Sequence, residues 1–291
     1  MTISTLGLFN TNQGNSTFYN GFFSTTALPT SDEQISFNGY GLQNINIISS
    51  YEEFEKAPDR DFATVSRPQT NGMIRNSDYW RRKTIVVKGM LSCETASALE
   101  TLIDTLKKKL SVVEKNLDIQ RSGIVRRFIS SAIRIDIQRN KHAWISSCPF
   151  ELEFDCLTPF GENATYSADS YLVGESGGND NGRSFTQILE NLGSAPAQPY
   201  LVMVIRAVSS ITKINFKNET TGEEVEITYS PSVDDVIIFD AEDKEVLVNG
   251  VDTDFAGAFP ELIAGRNVYT ITMTGTSCEY YFTAKTKAKW L

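Results

Sequence analysis

The chain has 291 residues, 41% of them apolar, with 19 glycines, 9 prolines and a formal net charge of −9. That composition excludes a disordered or collagen-like chain, and the length allows one large or two medium domains able to bury most of their unfolded surface. Residues 1–165 carry 18 basic and 18 acidic side chains, whereas residues 166–291 carry 9 and 18 and so hold the whole net charge. An acidic half repels nucleic acid and anionic lipid, so neither specific nucleic-acid binding nor membrane insertion is expected.

Met1–Leu8 has no basic region and no apolar run of signal-peptide length, and no stretch approaches a membrane span. Folding in the cytoplasm is the expectation. Short strands dominate the N-terminal half. Gln43–Ile47 alternates polar and apolar residues, and Thr84–Gly89 is a β-branched run ending at glycine. From Glu94 to about Val113, Leu99, Leu102, Ile103, Leu106, Leu110 and Val113 recur at the spacing of one helical face. Ser92 is the expected N-cap, and Lys107, Lys108 and Lys109 sit where the helix dipole favours cations. Ile129–Gln138 places Ile133, Ile135 and Ile137 inward, with Arg134 and Asp136 outward. Cys148–Cys156 alternates over Phe150, Leu152 and Phe154.

The segment from Gly161 to Arg183 is different. Gly174–Gly182 is polar and glycine-rich, with nothing to bury, and residues 166–183 read as a linker or exposed loop. Strands resume at Ser184. They continue through Tyr200–Ile205, Ile211–Phe216, Val225–Tyr229, Val236–Phe239, Val246–Val248, Val268–Met273 and Tyr280–Thr283. Turns every 8–12 residues between such strands describe a β-sandwich. Asn249-Gly250 is the strongest hairpin signal, because both central positions of a type I′ turn need positive φ; Thr221-Gly222 is a weaker one.

Chemistry-bearing patterns are sparse. The single histidine, His142, has no placed nucleophile, and no glycine loop precedes a helix to cradle phosphate. Cys93, Cys148, Cys156 and Cys278 lack metal-ligand spacing and read as small buried hydrophobes. Asp234-Asp235 and Asp240–Asp243 lack the ligand rhythm of a calcium loop and read as acidic turns. No enzyme activity, metal or cofactor is expected.

Taken in order, three C-terminal pieces carry a family resemblance: Asn215–Val225 with its turn glycine Gly222, Val246–Val251 around Asn249-Gly250, and Phe259–Asn267 ending in Gly265-Arg266-Asn267. Gly72, then Tyr79–Gly89, the amphipathic helix, Arg126-Arg127-Phe128, and a strand closing on Phe154–Pro159 extend it into the N-terminal half. The chain resembles the distal tail proteins (Dit) of long-tailed, non-contractile phages, the siphophages. The resemblance implies a mainly β fold. Residues 1–165 would form a β-sandwich with one flanking α-helix, like a tail-tube subunit, and residues 184–291 a peripheral, galectin-like β-sandwich.

The resemblance also implies a homohexameric ring at the virion tail tip. Its partners would be the tail tube protein, the tail hub or tail-associated protein, the tape measure protein, and receptor-binding proteins anchored on the outer domain. Such a ring must pass DNA, so its lumen should lack exposed apolar residues and dense positive charge. Within Asn71–Arg82, residues Tyr79, Trp80, Arg81 and Arg82 are the candidate ring interface, since aromatics and arginine are enriched at interface hot spots. The alternative is a carbohydrate-binding module that stacks sugars on Tyr229, Tyr269, Tyr280, Tyr281 and Trp290. Tyr280 and Tyr281 are adjacent on one strand, so only one of these two candidate exposed aromatics can face inward.

Overall fold

The computed structural model describes residues 33–52, 54, 56–66, 73–139, 146–174 and 183–291. The readings on Met1–Leu8, Asn71, Gly72, His142 and residues 175–182 fall outside these. The chain is mainly β and divides into two compact units, Met1–Glu162 with Leu291, and Asn163–Trp290.

The first unit contains β1 (Glu33–Phe37), β2 (Tyr40–Gly41), β3 (Ile47–Glu52), β4 (Arg60–Ser66), β5 (Met73–Trp80) and β6 (Lys83–Ser92). These are followed by α1 (Ala96–Leu110), β7 (Lys115–Arg121), β8 (Ile124–Ile137) and β9 (Ser147–Cys156), and the short β10 (Gly161–Asn163) ends the series. Its main sheet is antiparallel, in the order β2-β1-β7-β8-β9-β6-β3, while β4 and β5 form a separate two-stranded sheet.

The long β6–β9 pairing runs in unbroken register from Lys83 opposite Cys156 to Ser92 opposite Ser147. Along β9 every second residue from Cys148 to Cys156 is buried, as the alternation requires. Gly89 is needed at that crossing: a Cβ there would lie 2.2 Å from the Ile48 carbonyl oxygen and 2.8 Å from the Phe150 ring. One face of α1, carrying Leu99, Ile103, Leu106 and Leu110, completes the core over Ile85, Val87, Leu152 and Phe154.

Four local expectations are corrected. The helix starts later than Glu94 because Ser92 belongs to β6, where its N–H donates to the Asn46 carbonyl; Thr95, extended at φ −132°, caps the helix by accepting from the Ala98 N–H. The helix ends at Leu110, and Val113 beyond it is exposed. Residues 43–46 bend instead of pairing, because the Asn44 side-chain oxygen accepts from the N–H groups of Asn46 and Ile47. In β8 the register against β9 skips Ile133, from Ala132 opposite Phe154 to Arg134 opposite Glu153. This bulge turns Ile133 out to 59% exposure, while Ile135 and Ile137 still pack on the core.

The second unit is a sandwich of two antiparallel sheets. Its strands are β11 (Ser167–Val173), β12 (Ser184–Asn191), β13 (Tyr200–Ser209), β14 (Lys213–Asn218), β15 (Glu224–Thr228) and β16 (Val236–Asp240). After these come β17 (Glu245–Val248), β18 (Val251–Asp252), β19 (Ala256–Gly257), β20 (Gly265–Thr274), β21 (Ser277–Thr286) and β22 (Lys289–Trp290). One sheet runs β11-β21-β13-β16-β17-β18 and the other β12-β20-β14-β15-β19. Their inner faces meet at Phe216, whose ring lies 4.0 Å from Phe239 and 6.1 Å from Phe282 between centroids. The linker reading of 166–183 does not hold for Ser167–Val173: that segment is β11, paired along its length with β21, with Val173 in the core. Its first four residues are exposed, which is why it reads as loop.

The Asn249-Gly250 hairpin is present: Val248 faces Val251, and φ is 52° at Asn249 and 78° at Gly250. The Asn249 amide donates to Asp235, whose carboxylate also accepts from the Tyr229 hydroxyl and the Ser232 N–H. The remaining C-terminal motif pieces converge on buried asparagines. The Asn218 amide donates to the Glu261 carbonyl, and its oxygen accepts from the Thr220 N–H. Asn267 accepts from the Ile263 N–H and donates to the Ile263 and Gly265 carbonyls. Both asparagines are fully buried and tie the 259–267 segment to the β14–β15 turn.

Asn267→Ala leaves one N–H and two carbonyls without their partner, so it should lower stability by about 2–4 kcal/mol, read from the urea midpoint of the full chain. The Ser232 N–H, Asn249 and Tyr229 hold the Asp235 carboxyl below its usual 3.8, against the opposing effect of burial. A depressed carboxyl adds stability that is complete above the unfolded value and is lost as pH falls below it. Melting curves between pH 6 and 2 should therefore drop less steeply below about pH 4 in Asp235→Asn than in the native chain.

Candidate assembly surface

The four candidate interface residues lie at the root of the β4–β5 hairpin. There the register pairs Arg60 with Trp80, Asp61 with Tyr79 and Phe62 with Asp78. Tyr79 and Phe62 are 55% and 45% exposed. The Tyr79 hydroxyl donates to Asp61 at 3.0 Å, and Arg81 donates to the same carboxylate oxygen through two nitrogens at 2.7 and 3.1 Å. That guanidinium, with help from Tyr79, holds the Asp61 carboxyl below the ordinary range.

Trp80 is half-buried, with the Arg60 guanidinium 4.9 Å over its ring and the Phe160 ring edge-on at 6.1 Å. Arg82 donates to Asp155 on β9 at 2.7 Å. Tyr79 and Arg81 thus share one carboxylate, whereas Trp80 and Arg82 have separate partners. The β4 residues Arg60, Asp61 and Phe62 complete this surface, and the sequence pattern alone did not single them out. Their alternating basic, acidic and aromatic character was the available signal.

The candidate aromatic surface of the second unit is not assembled. Tyr280 is fully buried, and its hydroxyl has no hydrogen-bond partner among the described residues. Tyr269 is buried too, its hydroxyl donating to the Pro260 carbonyl. Tyr281 is the exposed member of the pair, at 43%, with the Arg206 guanidinium 5.2 Å over its ring. Tyr280 is therefore corrected from a candidate surface residue to a core residue, because it shares the inward parity of Cys278 and Phe282 on β21.

The acidic turns organise backbone. One Asp240 carboxylate oxygen accepts from the N–H groups of Glu242 and Asp243. The cysteines are free thiols. Burial pushes Cys156 up to about 12 and Cys278 to about 11, so both are inert at neutral pH. Cys93 departs from the expectation of burial: it is half-exposed. Among the described residues, no helix is long and apolar enough to cross a membrane.

Residues 192–288 match the family model of the siphovirus-type tail component, C-terminal domain. The crystal structure of SPP1 Dit, described as a paradigm of the hub adsorption apparatus in phages infecting Gram-positive bacteria, shares the fold. It aligns over 89% of this chain and 99% of its own, with TM-score 0.63 and 13% identity. Residues 192–288 are thus similar to the C-terminal domain of that tail component, and the chain has the fold of SPP1 Dit. A chain of the phage P2 baseplate in its activated conformation with calcium aligns over 88% of this chain and 97% of its own, at 11% identity. Its TM-score of 0.42 adds nothing to the fold argument. Comparison with curated proteins found no match.

The family model covers the three C-terminal pieces of the resemblance, Asn215–Val225, Val246–Val251 and Phe259–Asn267, and none of the N-terminal ones. Buried Asn218 and Asn267 give the first and third pieces a structural reason, and the Asn249-Gly250 turn gives one to the second. A Tyr280→Phe variant removes only an unsatisfied hydroxyl, so it should unfold at the same urea concentration as the native chain or gain up to about 1 kcal/mol.

Proposed function

We propose that this chain is a distal tail protein, a structural component of a phage tail tip that forms a homohexameric ring joining the tail tube to the hub or baseplate. The first unit, to about residue 165, makes the ring. The second unit, from about residue 163, offers docking sites for receptor-binding components, and the tape measure and tail-associated proteins are the other expected neighbours. The chain is made and assembled in the bacterial host cytoplasm and acts by geometry, without a reaction of its own. The alignment over 99% of the SPP1 Dit chain carries this reading. The family match at 192–288 supports it independently of the fold.

The root of the β4–β5 hairpin is the ring contact this reading favours. Phe62 and Tyr79 are aromatic, exposed and set among Arg60 and Arg81, the residue types that dominate interface energies. A closed ring repeats one head-to-tail contact, so a single weakened patch acts at every junction. Mass photometry of the purified chain across a concentration series should show hexamers. Phe62→Ala with Tyr79→Ala should weaken assembly by about tenfold or more while leaving the monomer's melting temperature unchanged. A chain that stays monomeric even with its tail tube protein, or hexamers indifferent to both substitutions, would count against this contact.

A further inference from the structure

Lys83 is the anomaly of the first unit. It begins β6, faces inward, and is only 4% exposed. Its ammonium donates to the Phe54 carbonyl at 2.5 Å and lies 5.5 and 5.7 Å from the Phe54 and Phe128 ring centroids. An ammonium has three donors, and one neutral carbonyl with two ring faces is poor compensation for leaving water. Among the described residues no carboxylate pairs with it. The Arg126 guanidinium, 5.3 Å from the Phe54 ring, adds a second positive charge to the same cluster. Burial accordingly pushes the Lys83 amine below its ordinary range, with Arg126 acting in the same direction.

Beside this cluster is a recess of about 170 Å³, lined by residues 56–59 on one side and 82–84 on the other. Among the described residues, Lys56, Arg82 and Lys83 contribute three cations to that lining and Asp59 one carboxylate. Arg82 is already engaged with Asp155. The recess is large enough for a carboxylate group, and its positive excess and buried ammonium select an anion over a neutral guest.

We propose that the recess between residues 56–59 and 82–84, which Lys56 and Lys83 line, is a carboxylate-binding site. The carboxylate comes either from a free carboxylic acid or from an acidic side chain of a second copy of this chain. The proposal does not rest on the ring reading.

The test uses the full chain, with acetate exchanged for chloride at constant ionic strength. The expected result is a saturable shift of the Lys83 side-chain carbon resonance and a saturable rise in melting temperature of about 2–4 °C. The rise should be lost in Lys83→Met and kept in Lys107→Met on the exposed helix surface. No saturable shift in the native chain, or a rise that survives in Lys83→Met, would overturn the site and leave the recess as a place for water. If Lys83→Met does not fold, the native Lys83 resonance decides alone. Sedimentation then separates the sources: acetate lowers the sedimentation coefficient if a second copy supplies the carboxylate, and leaves it unchanged if a small acid does.

Discussion

The first unit depends on the unbroken pairing of β6 with β9. Ten consecutive residues of each strand face one another, and their inward side chains form the floor on which α1 packs. The pairing also fixes the neighbours, with β3 on the free side of β6 and β8 on the free side of β9. Because β5 ends at Trp80 and β6 begins at Lys83, the root of the β4–β5 hairpin is anchored by the same strand. The aromatic and arginine side chains of that root inherit their positions from the register of the core sheet. A packed sheet of this kind has discrete registers and few intermediate ones, so it holds a fixed geometry.

The second unit is held by a different device. Its apolar sandwich is ordinary, but its long connections are fastened by fully buried asparagines and by the Asp235 cluster. Buried amides of this kind add specificity, since a connection shifted by one residue would leave several backbone groups unpaired.

Much of the fold was legible because the strands obey period two with one buried face. β9, β20, β21 and the first six residues of β13 alternate almost without fault, and the α1 stripe from Leu99 to Leu110 is unambiguous. The failures share a physical origin. A bulge inserts one residue without altering composition, so Ile133 reads as part of the apolar row it leaves. An edge strand need bury very little, so β11 reads as loop. Asparagine belongs mostly to surfaces and turns, so Asn218 and Asn267 read as turn formers and their burial goes unseen. The inward parity of Tyr280 was present in Cys278, Phe282 and Ala284. For the candidate interface, the sequence located Tyr79–Arg82 but not the β4 side chains opposite them, because strand pairing is a non-local fact.

The central claim is that this chain occupies the tail tip. Antibody labelling of tail particles from cells that produce the chain, imaged by negative stain, tests it most directly. The account predicts label confined to the tail end distal to the capsid. Label along the tail shaft or at the capsid, or particles that carry none of the chain, would contradict it.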